Sequence, residues 1–253
     1  MITADLSDKR TLVTGGASGI GLATVELFAR CGAKVAINDL SGNPNLETQI
    51  RRLKEDGLDV IAAPGNVGDS KDCKRMVNQA IADLGGLDHL INNAGTPGTK
   101  TAIPLADLEA VDEQFWNRIM DVNLLGPYLC SRTAAEALKD SGGAIVNTAS
   151  QAGFTGTGSS IAYAASKAGL INLTRSLARG LAPEVRVNCI APGMVDSPWE
   201  CRFPGLNSPD AAERVPLKIV GQPSHYAEVM LFFAAGASYV TGQTLLVDGG
   251  LRV

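Results

Sequence analysis

Residues 11–30 read TLVTGGASGIGLATVELFAR, and this stretch decides the fold class. It opens with a short apolar run at 11–14, passes through a glycine-rich turn, and continues as an amphipathic pattern over 19–30. Apolar residues at three- and four-residue spacing are typical of a helix that buries one face. The stretch therefore predicts a strand, a tight turn and a helix in direct succession, which is the first unit of an α/β fold.

Three glycines of the turn have separate structural tasks. Gly15 allows a tight exit from the strand, Gly19 lets the backbone approach a pyrophosphate, and Gly21 permits close packing of the helix on the strand. Unpaired N–H groups and the positive dipole end at the helix N terminus also favour phosphate. A plain glycine-rich turn is the alternative, but its position between the first strand and the first helix favours a dinucleotide site. The residues assigned to this site are Gly15, Ser18, Gly19, Ile20 and Gly21.

The same alternation of short apolar runs and amphipathic segments continues along the chain. Nearly continuous apolar runs indicate parallel strands that are covered on both faces. The predicted strands are 11–14, 34–39, 60–64, 89–92, 144–149, 186–190 and 244–247, and the predicted helices are 19–30, 46–56, 69–84, 112–139, 157–181 and 224–235. Right-handed crossovers between such units produce a doubly wound sheet. We predict an α/β fold, a Rossmann-like doubly wound parallel sheet of about seven strands flanked by helices, in a single domain spanning 1–253.

One segment, 194–220, interrupts this alternation. It contains Pro198, Pro204, Pro209 and Pro216 and has little periodicity. Long irregular segments inside compact domains are usually either functional loops or disordered. Because this segment follows the end of a predicted strand, we expect it to form a loop over the substrate.

Composition and charge argue against several classes of function. The 253 residues carry a formal net charge of −4 without a basic stripe, so nucleic-acid binding is not expected. Five cysteines without a CxxC pair argue against a metal site or a disulfide framework and suit a reducing compartment. The most apolar late stretch, 229–240, is too short to span a membrane, and the N terminus lacks a signal-peptide pattern. We expect a cytoplasmic protein without nucleic-acid, membrane or metal partners.

The second predicted strand, 34–39, ends in a carboxylate. Asp39 follows the glycines by about 20 residues, where an acidic side chain can accept hydrogen bonds from both hydroxyls of an adenosine ribose. The same charge repels the 2′-phosphate of NADP, and Leu40 does not supply the basic side chain that NADP would need. Capping of the following turn is a simpler role for Asp39. The sequence favours NAD over NADP as the cofactor, with Asp39 and Leu40 beside the ribose.

Tyr163 and Lys167 stand four residues apart in a helical pattern, so their side chains project from one face. A phenol has an ordinary pKa of about 10 and is a poor base at neutral pH, but a neighbouring ammonium lowers that pKa. Such a tyrosine can exchange a proton with an alcohol as a hydride leaves or arrives. Pairs with this spacing also occur as plain surface pairs. Ser150, at the end of a predicted strand, could hold the substrate oxygen beside the phenol or could simply cap the next segment.

These features occur together with a set of further motifs. The set comprises the Thr14–Gly21 turn, Asn92-Asn93-Ala94-Gly95, Asp121-Val122-Asn123-Leu124, Ser150, Tyr163-Ala-Ala-Ser-Lys167, Pro192-Gly193, Thr241-Gly242-Gln243 and Asp248-Gly249-Gly250. In the order and spacing of these motifs, and over almost its whole length, the chain resembles the short-chain dehydrogenases/reductases. The resemblance implies an oxidoreductase that moves a hydride between a nicotinamide cofactor and an alcohol or ketone.

The resemblance also implies roles for individual residues. Asn123, Ser150, Tyr163 and Lys167 would form the catalytic group, in which Asn123 binds a water of a proton relay. A hydrogen bond at a helix interface is a simpler role for Asn123. Contacts to the cofactor would also come from Asn93, Ala94, Gly95, Tyr163, Lys167, Pro192, Gly193, Val195 and Ser197. The family is usually homotetrameric, and its subunits meet through two long helices and the C-terminal region.

One position departs from the family pattern. After the third strand the family usually has Asp-Val against the adenine, whereas this chain has Asn66-Val67. The side-chain oxygen of Asn66 can still accept a hydrogen bond from the adenine amino group, although it carries no charge. We therefore expect Asn66 and Val67 to contact the adenine.

The segment 194–220 also bears on the substrate. Met194, Trp199, Phe203 and Leu206 give it an apolar character, which favours a fairly hydrophobic secondary alcohol or ketone. The substrate classes considered for the enzyme are secondary alcohols, polyols and dihydrodiols with the matching ketones. Packing against a neighbouring subunit is the alternative role of these side chains. The residues assigned to the substrate are Ser150, Tyr163, Met194 and Trp199.

Two further functions remain open. A 3-oxoacyl-thioester (acyl-carrier-protein) reductase has this layout, but it would need NADPH and a basic surface for an acidic carrier. Asp39 argues against NADPH, and the turn at 139–143 has little basic character. A non-catalytic NAD(H)-binding sensor or scaffold typically loses the tyrosine or the lysine, whereas this chain retains all four catalytic positions. The sequence therefore favours an NAD-dependent enzyme.

Overall fold

The computed structural model describes residues 4–197 and 210–252. The strands are β1 (Arg10–Val13), β2 (Lys34–Ile37), β3 (Val60–Ala62), β4 (His89–Asn92), β5 (Ala144–Thr148), β6 (Arg186–Pro192) and β7 (Thr244–Val247). The α-helices are α1 (Gly19–Arg30), α2 (Pro44–Glu55), α3 (Ser70–Leu84), α4 (Glu113–Met120), α5 (Gly126–Ser141), α6 (Ala152–Thr155), α7 (Ile161–Leu181) and α8 (Pro223–Leu231). Two π-helical turns, Asp121–Leu125 and Phe232–Gly236, and a 3₁₀ turn, Ala212–Arg214, lie between them.

The seven strands form one parallel sheet in the order β3-β2-β1-β4-β5-β6-β7. Val13 of β1 pairs with Ile37 of β2 on one side and with Ile91 of β4 on the other. The chain therefore returns from β3 to the far side of β1, where the second half of the sheet begins. In open α/β sheets such a reversal creates a crevice at the carboxyl ends of the strands. The predicted fold class, a doubly wound parallel sheet of seven strands, is confirmed.

Helices cover both faces of this sheet. On one face α1 and α8 pack together, and Phe28 and Met230 join the core there. On the other face α3 and α5 pack together, with Met76 and Leu138 in the core. The central strands β4 and β5 are buried along their whole length. Burial from both sides explains why these strands are recognisable as continuous apolar runs.

The helix predicted over 112–139 is present as a continuous helical run, but it contains a π-helical turn that was not predicted. The helix α4 ends at Met120 and α5 begins at Gly126, with the π-helical turn Asp121–Leu125 between them. The helix predicted at 224–235 also ends in a π-helical turn. Apolar spacing does not distinguish an uninterrupted α-helix from one with a π insertion, because the insertion adds one residue to a single turn.

The helix predicted to start at 157 starts at Ile161 instead. Gly158 has φ +131°, outside helical geometry, and the hydroxyl of Ser160 accepts a hydrogen bond from the Tyr163 N–H at 3.1 Å. A serine at this position is a typical N-cap, which fixes the start of the helix. The short α6 was not predicted. Strand ends shift by one or two residues at 11–14, 34–39, 60–64, 144–149 and 186–190.

The two ends of the predicted 194–220 loop meet at its base, and positions 198–209 lie outside the described residues. Val195 forms a parallel β-bridge with Gly221. The hydroxyl of the buried Tyr226 donates to the carbonyl oxygen of Met194 at 2.9 Å. These contacts fix the start and the end of the segment beside the end of β6.

Two observations apply to the described residues, 4–197 and 210–252. No helix among them combines the length and the apolar character needed to cross a membrane. They also contain no cluster of three or more His, Cys, Asp or Glu side chains that could bind a metal ion.

Candidate active site

The carboxyl ends of the strands around the reversal point open into one cleft of about 520 Å³. This volume lies in the range of sites for small molecules. The predicted residues that line it are Gly15, Ser18, Gly19, Ile20, Asp39, Leu40, Asn66, Val67, Asn93, Ala94, Gly95, Ser150, Tyr163, Lys167, Pro192, Gly193, Val195 and Ser197. Residues that are more than a hundred positions apart in the sequence therefore meet in one cleft.

The glycine-rich turn is held tightly against α1 and β4. Gly15 has φ +62°, a left-handed conformation that favours glycine. A Cβ on Gly21 would overlap the carbonyl oxygen of Gly15 and the side-chain amide of Asn93. That amide donates to the carbonyl oxygens of Thr14 and Gly15 at 3.2 and 3.1 Å. Gly21 and the Asn93 side chain therefore set the shape of the turn from behind the cleft.

The tip of the turn is open towards the cleft. A Cβ on Gly19 would come within 4 Å of only Ser197 among the described residues, at 3.7 Å. Ser18 precedes α1 without a side-chain hydrogen bond to the helix. The first N–H groups of α1 thus remain available to an anion, and the helix dipole favours one there. This cradle fits the pyrophosphate of a dinucleotide.

Asp39 follows β2 at the rim of the cleft. Its Oδ1 atom accepts hydrogen bonds from the Leu40 N–H and from the Asn43 side-chain amide, both at 2.8 Å. The buried Asn38 amide donates to the carbonyl oxygens of Ala63 and Gly65, which ties the end of β2 to the segment after β3. Asp39 thus does cap the following turn, and its carboxylate also faces the cleft.

The Asn66 side chain is already engaged within its own turn. Its Oδ1 atom accepts from the Gly68 N–H at 2.9 Å, and its backbone N–H donates to Asp72 at 2.7 Å. A carbonyl oxygen has two lone pairs, so Oδ1 can accept one more hydrogen bond from a ligand. Val67 is buried against Gly126 at the start of α5. Both residues line the cleft, as the adenine assignment requires.

Tyr163 and Lys167 project from α7 into the cleft together. The Lys167 Nζ atom lies 5.7 Å from the centre of the Tyr163 ring and donates to the carbonyl oxygen of Thr148 at 2.8 Å. Lys167 is only 3% exposed. Burial lowers the pKa of Lys167 from 10.5 to about 8, and interaction with Cys189 acts in the opposite direction. The ammonium lies beside the phenol, and among the described residues no carboxylate forms a salt bridge with it.

Ser150 follows β5 and lies in the same cleft. Its hydroxyl oxygen accepts from the Ala152 N–H at 3.1 Å, so it does cap α6. A hydroxyl can accept and donate at the same time. The Ser150 O–H therefore remains a possible donor to a substrate oxygen beside Tyr163, and the two roles considered for Ser150 are compatible.

Asn123 lies beneath the cleft, in the π-helical turn Asp121–Leu125. It is fully buried, and its Oδ1 atom accepts from the Thr96 N–H at 2.8 Å. Its Nδ2 atom donates to the carbonyl oxygen of Thr96 and to the Ser166 hydroxyl. Both ends of the amide bind Thr96 in the loop after β4, and Nδ2 also reaches Ser166 of α7, so the side chain joins the loop to that helix, which is the simpler role considered for this residue.

The residues assigned to the substrate beyond β6 have different positions. Met194 is buried with Ala211 and Val215 and does not line the cleft. Trp199 lies outside the described residues. Val195 and Ser197 do line the cleft, at the end expected to hold the nicotinamide. The described residues therefore bring the cofactor and catalytic candidates together in the lining of the cleft, except Gly21 and Asn123, and Met194 does not line it either.

Several lining residues were missed by the sequence analysis. They are Asn38, Asn43, Gly65, Thr96, Pro97, Val122, Thr148 and Ala149. Asn38 and Thr148 stand at the ends of predicted strands, so the rule that ligands bind at strand ends could have identified them. Asn43 follows a turn, and no sequence pattern connects it with Asp39.

A family model and individual relatives of this chain agree on one family of proteins. A family model described as enoyl-(acyl carrier protein) reductase matches residues 15–252. The 3-oxoacyl-[acyl-carrier-protein] reductase FabG of Thermotoga maritima is 38% identical over 253 residues, which cover 98% of this chain and 99% of the relative. The cis-4-hydroxycyclohexanecarboxylate dehydrogenase of Sinomonas cyclohexanicum is 37% identical, with 96% of each chain covered.

A solved structure has the same fold over the full length. The short-chain dehydrogenase/reductase SDR:glucose/ribitol dehydrogenase of Brucella melitensis superposes with a TM-score of 0.89 at 28% identity, and 100% of both chains is covered. The alignments with relatives named as oxidoreductases of hydroxyl or carbonyl carbons thus cover almost the whole chain. The chain belongs to the short-chain dehydrogenase/reductase family and is an oxidoreductase that acts on CH–OH or carbonyl groups with a nicotinamide cofactor.

Proposed function

We propose that the protein is an NAD-dependent dehydrogenase/reductase for a secondary alcohol, polyol or dihydrodiol and the matching ketone. The observation that carries this proposal is the placement of Tyr163, Lys167 and Ser150 in the cleft that also contains Asp39. The proposed proton-transfer group (Tyr163), the proposed group that binds the substrate oxygen (Ser150) and the proposed ribose-binding group (Asp39) thus line the same cleft. Each lies at the end of a strand or on α7, so the fold itself holds them in place.

Tyr163 is the proposed general acid/base. When bound, the nicotinamide accepts a hydride from the alcohol carbon or returns it to the carbonyl carbon. As the hydride leaves the carbon, Tyr163 removes the proton from the hydroxyl oxygen, and in the reverse direction it gives that proton back. Lys167 stabilises the ionised phenol electrostatically, and Ser150 donates to the substrate oxygen. Asn123 holds the loop after β4 and α7 in register beneath them.

Asp39 supports NAD rather than NADP. Its carboxylate can accept hydrogen bonds from the hydroxyls of the adenosine ribose, whereas a 2′-phosphate would bring like charges together. The neighbouring Leu40 is exposed and uncharged. A residue with a basic side chain at either position would instead attract a phosphate.

A second candidate is 3-oxoacyl-thioester reduction with NADPH. The name of the Thermotoga maritima relative favours it. The carboxylate of Asp39 argues against NADPH. We propose the NAD-dependent alcohol reaction first, and the homotetramer typical of the family as the assembly that performs it.

The test is turnover of secondary alcohols, ketones and a 3-oxoacyl thioester with each of NAD(H) and NADP(H), followed by nicotinamide absorbance. We expect turnover with NAD(H), and Tyr163→Phe should lower kcat by a factor on the order of 1,000 because the acid/base group is lost. The control Tyr239→Phe changes a fully exposed tyrosine and should be neutral. Turnover with NADPH alone, or wild-type kcat in Tyr163→Phe with NADH still bound, would refute the proposal.

A further inference from the structure

We propose that Asn43 is a positioning residue that orients the Asp39 carboxylate and thereby sets the preference for NAD over NADP. The proposal rests on the proposed function, because it assumes that Asp39 binds the ribose of NAD. Asn43 does not belong to any motif identified in the sequence. Its side chain nevertheless lines the same cleft as Asp39.

The Asp39 carboxylate accepts hydrogen bonds from the protein on only one of its two oxygens, among the described residues. Both hydrogen bonds to its carboxylate fall on Oδ1, one from the Leu40 N–H and one from Nδ2 of Asn43, each at 2.8 Å. Among the described residues none donates to Oδ2. Two donors on one oxygen fix the orientation of the carboxyl group, because any rotation other than the 180° turn that exchanges its two equivalent oxygens would break both bonds. The second oxygen is thus left for a ligand with hydroxyl donors.

The Asn43 amide is itself fixed at its other end. Its Oδ1 atom accepts from the Asn45 N–H at 3.1 Å, which caps the start of α2. The Asn43 N–H donates to the carbonyl oxygen of Leu40 at 3.0 Å, and Gly42 between them has φ +79°. The turn after β2 therefore returns the chain to Asp39, and one side chain joins the carboxylate to a helix N terminus.

This arrangement has a consequence for cofactor choice. A carboxylate that is held in place before binding loses little conformational freedom when a ribose diol binds, so NAD gains affinity. The same fixed charge cannot rotate away from a 2′-phosphate, so NADP is disfavoured. Without the Asn43 donor the carboxylate could rotate, so the gain in affinity for NAD and the discrimination against NADP would decrease together. A plain helix cap would affect the stability of α2 but not the ratio of the two affinities.

Two variants of Asn43 distinguish its proposed role in orienting the Asp39 carboxylate from its role as the N-cap of α2. Asn43→Ser keeps a good N-cap, but its hydroxyl is too short to serve both α2 and Asp39. Asn43→Asp also keeps the cap, and it places a carboxylate where the donor to Asp39 was. Thr48→Ala, on the exposed side of α2, is the control for a small change in this helix. Dissociation constants of NADH and NADPH are measured by fluorescence titration, and Tm is measured without cofactor.

We expect Asn43→Ser to weaken NADH binding by about tenfold, since a hydrogen bond to a charged group is lost, and to raise the KM for NAD rather than lower kcat. NADPH binding should stay constant or improve, and Tm should change little. Asn43→Asp should weaken NADH binding further, and Thr48→Ala should leave the dissociation constants of NADH and NADPH unchanged. If Asn43→Ser had the same ratio of NADH to NADPH affinity as the wild type, the role inferred for Asn43 would be wrong, but the proposed NAD dependence would stand. A wild-type preference for NADPH would instead overturn the NAD assignment.

Discussion

Lys167 is a fully enclosed lysine whose pKa falls from 10.5 to about 8 because burial disfavours the charged form. The unfolded chain keeps its ordinary pKa, so between pH 8 and 10.5 the unfolded state binds more protons than the folded state. The contribution of Lys167 to stability must then rise with pH across this window. The cost of burying the ammonium is fully present below pH 8 and disappears above 10.5. Lys167 thus lowers stability at neutral pH in order to place a cation beside Tyr163.

The difference in unfolding free energy between the wild type and Lys167→Met isolates this effect. We expect that difference to shift in favour of the wild type by up to about 3 kcal/mol between pH 8 and 10.5, from the size of the pKa change. Denaturant unfolding of the cofactor-free protein at several pH values provides the measurement. The matched control Lys54→Met removes an exposed lysine from α2. A difference that is constant with pH, or that moves the other way, would contradict the assignment.

At the scale of elements, the glycine-rich turn depends on the absence of a side chain at Gly21. A Cβ there would overlap Gly15 and Asn93, so Gly21→Ala should displace the turn and cost about 1–3 kcal/mol, as overpacking does. NADH affinity should fall at least about tenfold, because the N–H groups that hold the pyrophosphate move with the turn. Thermal unfolding and NADH titration measure the two effects.

Gly180 is the matched control for this prediction. It also lies in an α-helix, but among the described residues a Cβ there would meet no atom within 4 Å other than those of its chain neighbours and its own helix backbone. Gly180→Ala should therefore stabilise the protein by up to about 1 kcal/mol through helix propensity and leave NADH binding unchanged. If Gly21→Ala and Gly180→Ala changed stability and NADH affinity equally, close packing of the turn would not be the reason that glycine is needed at position 21.

The elements differ in how far the sequence could predict them. The strands were found because burial on both faces leaves continuous apolar runs, and α1 was found because its start is fixed by the glycines. The π-helical turn Asp121–Leu125 could not be found, since it is held by contacts of Asn123 with Thr96, a residue 27 positions earlier. The start of α7 could have been found from Ser160, whose capping role is a local pattern.

The candidate site shows the same division between local and distant causes. Tyr163, Lys167 and Ser150 could be identified because strand ends and helix periodicity are encoded locally. Asn43 could not, because its contact with Asp39 depends on how the turn after β2 folds back. Likewise, the side-chain contacts of Asn93 with the glycine-rich turn follow from the pairing of β1 with β4. Sequence motifs thus point to the proposed reacting groups, while the contacts of the residues beside them follow from topology.

At the scale of the whole molecule, the exposed apolar side chains include two groups that bear on assembly, one on β7 and one around the start of α5. Leu245 and Leu246 of the edge strand β7 are 45% and 36% exposed. Exposed edge strands with apolar side chains are usually covered by another chain or element. Leu125 and Tyr128, at the start of α5, are also partly exposed. These two surfaces coincide with the regions through which we propose that a homotetramer assembles.

A tetramer built on two different two-fold interfaces has a characteristic response to mutation. Leu245→Glu should break the β7 interface and leave dimers, Tyr128→Glu should break the α5 interface and also leave dimers, and the double variant should be monomeric. Thr48→Glu adds the same charge on α2, beside β3 at the opposite edge of the sheet, and should remain tetrameric. Light scattering coupled to size-exclusion chromatography gives the masses. A monomeric wild type, or tetramers that survive both substitutions, would exclude this assembly.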